Sequence, residues 1–301
     1  MEFIFDLIIF FYLIAVGAFL LQELHQKKRL HENKLRQVFF VLLALSWVTI
    51  FYGSFVEPRL LIVKQTSVDL IESPTQTMRA VIISDIHVGP FKKTDWVAHV
   101  VKRAQELQPD IVFLLGDFVV KSASDVQYLS PLLKLKAPYG VYAVTGNHEY
   151  HALASDEVIA TLESYGIEVI ENETLNVEIG GKVFRLAGVS DIWFEGDIGK
   201  TMQNVVEEDE TILLAHNPDV VLSDATHLAD LVLSAHTHGG QIRLPWIGSI
   251  SSLPTKLGRA FDKGWFKYNN QKLFITSGVG ETGTRARLFN LPEIVEMDIG
   301  F

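Results

Sequence analysis

Five short strings carry residue types that could do chemistry together. They are Asp85-Ile86-His87, Gly116-Asp117, Gly146-Asn147-His148-Glu149, a lone His216 in Leu213-Leu214-Ala215-His216-Asn217, and His236-Thr237-His238. Carboxylate and amide oxygens combined with imidazole nitrogens suit Zn, Mn, Fe, Co or Ni. A carboxylate has two oxygens and can bridge two cations, and a turn after Gly116 exposes Asp117 for that task. Two cations about 3.5–4 Å apart can clamp a phosphate and lower the pKa of a bridging water, giving a hydroxide near neutral pH. Nearby donors then stabilise charge on the equatorial oxygens during in-line attack. The leaving alkoxide needs a proton, which a histidine outside the ligand set can supply.

Each string alone has a plainer reading. Asp-x-His and Gly-Asp are common turns, Asn147 suits an Asx-turn, and His216 suits a hydrogen-bonded core histidine. What distinguishes the set is position: each string begins where an apolar run ends. The runs Arg79–Ser84, Asp110–Leu115 and Gly140–Thr145 read as strands, separated by helix-like spacing over Thr94–Leu107 and Val126–Leu135. A further helix is expected over Asp156–Tyr165, with Ser155 as its N-cap. Strand and helix alternating in this way indicate an α/β sheet with parallel members. Later strands crowd together: Ile167–Ile170, Leu175–Ile179 and Val183–Val189, with Gly180-Gly181 as a hairpin turn. Thr211–Ala215, Leu231–Ala235, Leu273–Ser277 and Ile294–Asp298 complete the set, and Pro245 to Phe266 reads as a long surface loop. So many strands in one domain call for two packed sheets. Ligands in open α/β sheets collect beyond the carboxyl ends of strands, which is where these strings fall.

Composition adds limits. The 301 residues carry a net charge of -10, which argues against a surface for nucleic-acid phosphates. There is no Cys, so disulfides and thiolate metal sites are excluded, and the absence agrees with a chain working outside the cytosol. Hydrophobic residues reach 48%, with the excess at the N-terminus. Phe3 to Leu21 is apolar apart from Asp6, and Val38 to Val56 has no charge. Each has about the 17–25 residues that cross a bilayer as a helix. The start Met1-Glu2-Phe3 lacks the basic region of a signal peptide, and the second run lacks the polar stripe of a core helix. Two transmembrane helices (about 3–21 and 38–56) are therefore expected, forming an anchor over 1–65 before a catalytic domain over 66–301. Between the helices, Gln22–Gln37 holds Lys27, Lys28, Arg29, Lys34 and Arg36 against Glu23 and Glu32. The positive-inside rule puts that loop in the cytoplasm, and the catalytic domain outside it, on a multi-pass protein of the cell membrane. Thr66 to Thr77 reads as a linker or an edge strand.

In their order, Asp-x-His, Gly-Asp, Gly-Asn-His-Glu, lone His and Ala-His-x-His, these motifs resemble the calcineurin-like metallophosphoesterase family from roughly Met78 to the C-terminus. The strings Ala-His-Thr-His-Gly-Gly-Gln and Thr-Ser-Gly-Val-Gly-Glu-Thr are similar to its membrane-associated bacterial branch. The resemblance implies a four-layer α/β/β/α sandwich with two divalent cations, Mn, Fe or Zn. It implies that Asp85, His87 and His238 hold the first, that Asn147, His216 and His236 hold the second, and that Asp117 bridges them. His148 would face the substrate and assist the leaving group. There are departures. The family's protein phosphatases carry Asp-Arg-Gly after Gly-Asp, where this chain reads Phe118-Val119-Val120-Lys121. That argues against a protein phosphatase and leaves the group that orients His148 open, with Glu149 as one candidate and a helix-start acid as its plainer role. Ala235 stands where Gly is usual, which is tolerated if its φ is negative. Arg243, Arg285 and Arg287 are candidates for contact with a substrate phosphate, and His151 for lining the site. The expected activity is hydrolysis of a phosphodiester or pyrophosphate of a lipid or envelope-linked substrate. A UDP-2,3-diacylglucosamine-type pyrophosphatase of lipid A synthesis and a non-enzymatic metal-binding scaffold are the alternatives. Expected partners are the bilayer and a phosphate-bearing small molecule or lipid, with no nucleic acid.

Overall fold

A computed structural model of the chain describes residues 2–26 and 33–301. Lys27, Lys28 and Arg29 of the expected basic loop lie outside the described residues, as do His31 and Glu32. The two apolar runs form α1 (Glu2–His25), which extends past its run at both ends, and α2 (Lys34–Phe51), which starts and ends before its run does. Such runs satisfy their own backbone groups internally, which hydrocarbon requires. Their side chains face outward: Phe11 is 65% and Leu42 59% exposed, unlike residues of a buried core helix. The helices pair through the hydroxyls of Tyr12 and Ser46, and through Trp47 Nε1, which donates to the Leu13 carbonyl at 2.8 Å. Arg36 pairs with Glu23 at the end next to the connecting loop.

A π-helical turn at Tyr52–Val56 and a 3-10 turn at Glu57–Arg59 follow α2, with Pro58 helping to stop the helix. This end is fastened to the rest of the chain. The buried Glu57 carboxylate accepts from the Asn290 backbone N–H, and the Arg287 N–H donates to the Gly53 carbonyl at 2.9 Å.

Fourteen strands follow. They are β1 (Ile62–Asp69), β2 (Thr77–Ile83), β3 (Ile111–Leu115), β4 (Val141–Val144), β5 (Glu168–Val169), β6 (Glu173–Ile179), β7 (Lys182–Val189), β8 (Thr211–Ala215), β9 (Leu231–Ser234), β10 (Arg243–Leu244), β11 (Gly248–Ser249), β12 (Gly264–Tyr268), β13 (Gln271–Ile275) and β14 (Glu293–Gly300). One six-stranded sheet has the order β1-β14-β2-β3-β4-β5, and the other β12-β13-β9-β8-β7-β6. Strands β2 to β5 are parallel, as are β7, β8, β9 and β13. Parallel pairing sends their carboxyl ends to one edge of each sheet. The segment Thr66 to Thr77 is both edge strand and linker: residues 66–69 end the edge strand β1, which begins at Ile62 and runs parallel to β14, and residues 70–76 link it to β2.

Helices α3 (Thr94–Glu106), α4 (Asn147–His151), α5 (Ser155–Ser164) and α6 (Ile198–Met202), with several 3-10 turns, complete the chain. The core divides into three seams. Val81, Ile83, Val112 and Leu114 pack on Val97, Val100, Leu132 and Leu162 of the helices. Their strand neighbours Ala80, Ile82, Ile111 and Phe113 point the other way, onto Phe184, Leu186, Ile212 and Leu214 of the second sheet. Ala187, Leu213, Val232 and Ile275 of that sheet meet Met202, Val220 and Val221. The period-2 alternation of buried strands thus builds a four-layer α/β/β/α sandwich.

Three local expectations change. The segment expected as a helix over Val126–Leu135 is a 3-10 helix, Ala123–Lys134, whose Pro131 has no N–H for an α-helical bond. The N-cap of α5 is Ala154, not Ser155, which is the first helical residue, and no side chain caps the turn. Pro245 to Phe266 is not only a surface loop: it contains β11, the start of β12 and the buried Ser249 and Asp262. Phe113 is fully buried in the seam between the sheets. Phe113→Ala is expected to lower stability by about 3–5 kcal/mol, read as a shifted denaturant midpoint of the detergent-solubilised full chain.

Candidate metal centre

The carboxyl ends of five parallel strands place the five strings. Asp85 and His87 follow β2, Asp117 follows β3, Asn147 opens α4 after β4, His216 follows β8 directly, and His236 and His238 follow β9. Asp85, His87, Asp117, His236 and His238 all hold left-handed backbone, with φ of 52°, 48°, 56°, 69° and 52°. Each such residue costs roughly 1–3 kcal/mol and persists only where surroundings over-determine it. The left-handed turn swings each side chain off its strand direction into a shared centre. Ala235 is not among the residues with positive φ, so it meets no strain in place of Gly.

The strand ladder continues into these loops. Asp85 N–H donates to the Gly116 carbonyl at 3.0 Å, His87 N–H to the Asp117 carbonyl at 3.0 Å, and Val88 N–H to the Phe118 carbonyl at 2.8 Å. Two glycines let the loops after β3 and β4 touch. A Cβ on Gly116 would lie 2.6 Å from the Gly146 nitrogen, and one on Gly146 would lie 2.4 Å from Asp117 Oδ1. The buried Glu149 carboxylate ties the same loops together. It accepts from the N–H groups of Gly146 (2.7 Å), Asp117 (3.0 Å), Phe118 (2.7 Å) and Val119 (3.3 Å). Glu149 is therefore a loop clamp at a helix start and does not orient His148.

Two groups of donor atoms meet at Asp117. Asp85, His87, Asp117 and His238 form one, and Asp117, His216 and His236 the other, all buried. His87 Nε2 lies 3.4 Å and His216 Nε2 3.1 Å from Asp117 Oδ2. His238 Nε2 lies 3.2 Å from Asp85 Oδ1 and 3.1 Å from His87 Nε2. His236 Nδ1 lies 3.1 Å from His216 Nε2. Outer hydrogen bonds fix two of these rings. His216 Nδ1 donates to the Leu115 carbonyl at 2.7 Å, and His236 Nε2 to the Pro254 carbonyl at 2.9 Å. Both oxygens of Asp85 and Oδ1 of Asn147 are buried with no hydrogen-bond partner. Buried polar atoms without partners are costly, so this cluster of oxygens and ring nitrogens fits divalent cations better than it fits itself. The donor chemistry admits Mn, Fe or Zn alike.

Electrostatics sharpen the point. Burial pushes the Asp85 carboxyl up to about 7, opposed by His216 and reinforced by Asp117. Burial, with His148 adding to it, holds His87 down at about 3, and burial with His216 does the same to His236. Burial next to His87 keeps His238 well below the usual imidazole range. These three rings are neutral, as ligands must be. Burial also works against charge on His216, yet the Asp117 carboxylate pushes it up to about 10. Burial opposes ionisation of Asp117, and His216 and His87 overcome that to hold it well below the carboxylate range.

His148 stands beside this cluster, half-buried, its ring edge-on to His87 at 4.6 Å. Its Nδ1 pairs with the Val120 carbonyl at 2.9 Å, and its Nε2 lies 3.4 Å from Thr282 Oγ1. A backbone carbonyl orients this ring. Phe118 and Val119, which follow Asp117, are buried in the first seam. His151 is exposed on the same short helix, 6.2 Å from His148 between ring centroids. The arginines fare differently. Arg287 is fully buried and donates to the carbonyls of Ser277, Gly278, Gly280 and Asn290, so it holds the loop packed on Asp85 and is closed to substrate. Arg243, on the short β10–β11 ribbon, is paired with Asp262 and donates to the Gly239 carbonyl at 3.2 Å. Arg285 lies between the cluster and α1, where it pairs with Asp6 at 3.1 Å. Sequence reasoning missed Asp191, whose buried Oδ2 lacks a partner, and Trp193, which packs edge-on against His236 at 4.6 Å. Asp191 follows β7, so the rule that located the other strings could have found it.

A family model described as calcineurin-like phosphoesterase matches residues 78–240. The chain is similar to an uncharacterized metallophosphoesterase of Helicobacter pylori (strain ATCC 700392 / 26695), with 31% identity over 300 residues, covering 97% of this chain and 77% of that one. It is similar to the uncharacterized metallophosphoesterase YkuE of Bacillus subtilis (strain 168), with 28% identity over 251 residues, covering 81% and 87%. A Danio rerio protein named transmembrane protein with metallophosphoesterase domain is 27% identical over 317 residues, covering 98% of this chain and 70% of that one.

Neutral imidazole is the ligand form, so the proton that Asp117 holds on His216 must leave when cations bind. The raised value of about 10 means that His216 carries it at pH 8, and that cation affinity climbs with pH toward that value. Calorimetric titration with Mn²⁺ at pH 8 is expected to release about one proton per chain, read as a binding enthalpy that scales with the buffer's ionisation enthalpy. An enthalpy independent of buffer would contradict this arrangement.

Proposed function

The chain belongs to the calcineurin-like phosphoesterase family, and on that premise we propose that it is a membrane-anchored enzyme hydrolysing a phosphodiester or pyrophosphate bond of a lipid or envelope-linked substrate. One observation carries the reading: a single buried carboxylate, Asp117, is shared by two groups of donors with His148 uncommitted beside them. In this reading Asp85, His87 and His238 hold one cation, Asn147, His216 and His236 the other, and Asp117 both. Bound there, two divalent cations neutralise phosphoryl oxygens and acidify water.

The chain's own residues supply the rest. The Val120 carbonyl accepts a hydrogen bond from His148 Nδ1–H and leaves Nε2 facing Thr282 and the open side of the cluster. From there the protonated ring can hand a proton to a leaving oxygen. The backbone N–H of His148 donates to Asp117 Oδ1 at 2.8 Å, which fixes the carboxylate against the ring that serves the leaving group. The lipid or envelope substrate is supported by the anchor. Two helices long and apolar enough to cross a membrane are fastened directly to the domain that carries the cluster. The positive-inside rule places that domain outside the cytoplasm. A cytosolic nucleotide-linked lipid of the UDP-2,3-diacylglucosamine type would be out of reach from there. The non-enzymatic scaffold predicts a missing ligand or a missing His148, and this chain has neither loss.

The full chain, purified in uncharged detergent with Mn²⁺, is expected to hydrolyse bis-p-nitrophenyl phosphate. Asp117→Asn should lower kcat/KM by roughly 10³-fold, the scale for removing a charge stabiliser, and His148→Ala by roughly 10²–10⁴-fold, the scale for a general acid. Absence of metal-dependent turnover, or turnover unchanged in Asp117→Asn, overturns the enzyme reading. Alkaline-phosphatase fusions after Val56 are expected to be active, and inactive fusions would place the domain in the cytoplasm and restore the nucleotide-lipid alternative.

A further inference from the structure

Three cavities with shared walls lead from the donor cluster to the helix pair. The innermost, about 20 Å³, is walled by the metal-ligand candidate His87, by Val120 and Thr282 beside His148, and by Phe91, Lys92 and Arg285. Phe91, Lys92, Glu281 and Arg285 also wall the next, about 310 Å³, where Arg59 and Ser54 join them. Ser54 and Arg285 in turn wall the third, about 300 Å³, whose remaining lining is Phe5, Leu7, Ile9, Phe10, Phe55 and Asp6. Polarity changes along the way. The inner end holds His87, the middle sets Arg59, Lys92 and Arg285 against Asp95 and Glu281, and the outer end is aliphatic and aromatic apart from Asp6, Ser54 and Arg285.

The cations of the middle are held firmly. Lys92 is buried, with its ammonium 2.7 Å from the Pro58 carbonyl, 3.6 Å from Glu281 and over the face of Trp96. Arg285 stacks its guanidinium 3.9 Å above the Phe91 ring and reaches Asp6 at 3.1 Å. The outer cleft opens beside α1, whose Leu7 and Phe10 are 54% and 56% exposed, so a bilayer around the helices meets it directly.

Resting on the phosphoesterase reading above, the geometry points to an amphiphile with a phosphate head and an alkyl chain as substrate, entering sideways from the bilayer rather than from water. Its chain lies in the cleft of α1 and the turn after α2, its phosphoryl group lies beside Arg285 and Lys92, and the innermost cavity, about 20 Å³, widens on binding to bring the scissile bond between His87 and His148. Guanidinium and ammonium groups complement a phosphate, and burying alkyl carbon against Leu7, Phe10 and Phe55 adds affinity in proportion to chain length. Arg285 thereby becomes a specificity-determining residue, reached from the membrane side.

The probes are butyl, octyl and dodecyl phosphate below their micellar concentrations. They compete with bis-p-nitrophenyl phosphate on the full chain with Mn²⁺ in uncharged detergent. The inhibition constant is expected to fall by at least about tenfold from butyl to dodecyl. Leu7→Gln should flatten the series, and Arg285→Gln should weaken all three inhibitors alike. A second measurement does not depend on either variant folding. Octyl phosphate bearing a terminal diazirine should label residues 5–10 or 51–59 on irradiation. A flat series in the unsubstituted chain, or labelling elsewhere, overturns the sideways entry while diester turnover persists. Absence of any metal-dependent turnover overturns the phosphoesterase reading, and this inference with it.

Discussion

Everything near the site depends on one carboxylate being shared. Asp117 must present one carboxylate, whose Oδ2 lies 3.4 Å from His87 and 3.1 Å from His216, to two sets of donors from different strands, in a place that water does not reach. That requirement sets the distance between loops. The loop after β3 must press against the loop after β4, which only Gly116 and Gly146 permit. Once pressed together, the loops expose backbone N–H groups with no strand partner. Glu149 collects four of them on a single side chain. These four bonds hold the close approach, while burial and Asp117 push the Glu149 carboxyl up to about 7.

The same arrangement concentrates strain. Five left-handed non-glycine residues, unpartnered carboxylate oxygens and three neutral buried rings occupy one small volume. None of these features favours folding without cations. They are over-determined by the sandwich beneath, whose three apolar seams fix where the strands end. Fold and site thus oppose each other energetically. Divalent cations held there would reverse much of the opposition by giving the unpartnered oxygens and ring nitrogens a partner.

The ligand strings were legible because their side chains do the chemistry, and chemistry restricts residue type and order. The strands were legible from their apolar runs, and the end-of-strand rule joined the two. What escaped was whatever depended on backbone groups brought together only by folding. The Val120 carbonyl that orients His148 could be any residue's carbonyl, so no side-chain reading finds it. Arg287 looked like a phosphate contact because guanidinium suits phosphate, but carbonyls of a glycine-containing loop satisfy it first. Val126–Leu135 had helical spacing, and Pro131 still held it to a 3-10 turn. Glu149 had two readings in sequence, and its four backbone partners decide between them.

The seam between anchor and domain has a wider meaning. Gly53, at the turn that ends the second apolar helix, accepts from the Arg287 N–H. The Arg287 side chain grips the Ser277–Gly280 loop, and Gly278 in that loop sits so close to Asp85 that a Cβ there would be 2.5 Å from Oδ2. Glu57, Pro58 and β1 add further ties to Asn290, Lys92 and β14. The helix pair is therefore not a leash that could be cut to free a soluble enzyme. It is a structural wall of the catalytic unit, and a chain trimmed at its first strand would lose supports of the loop against which Asp85 is packed.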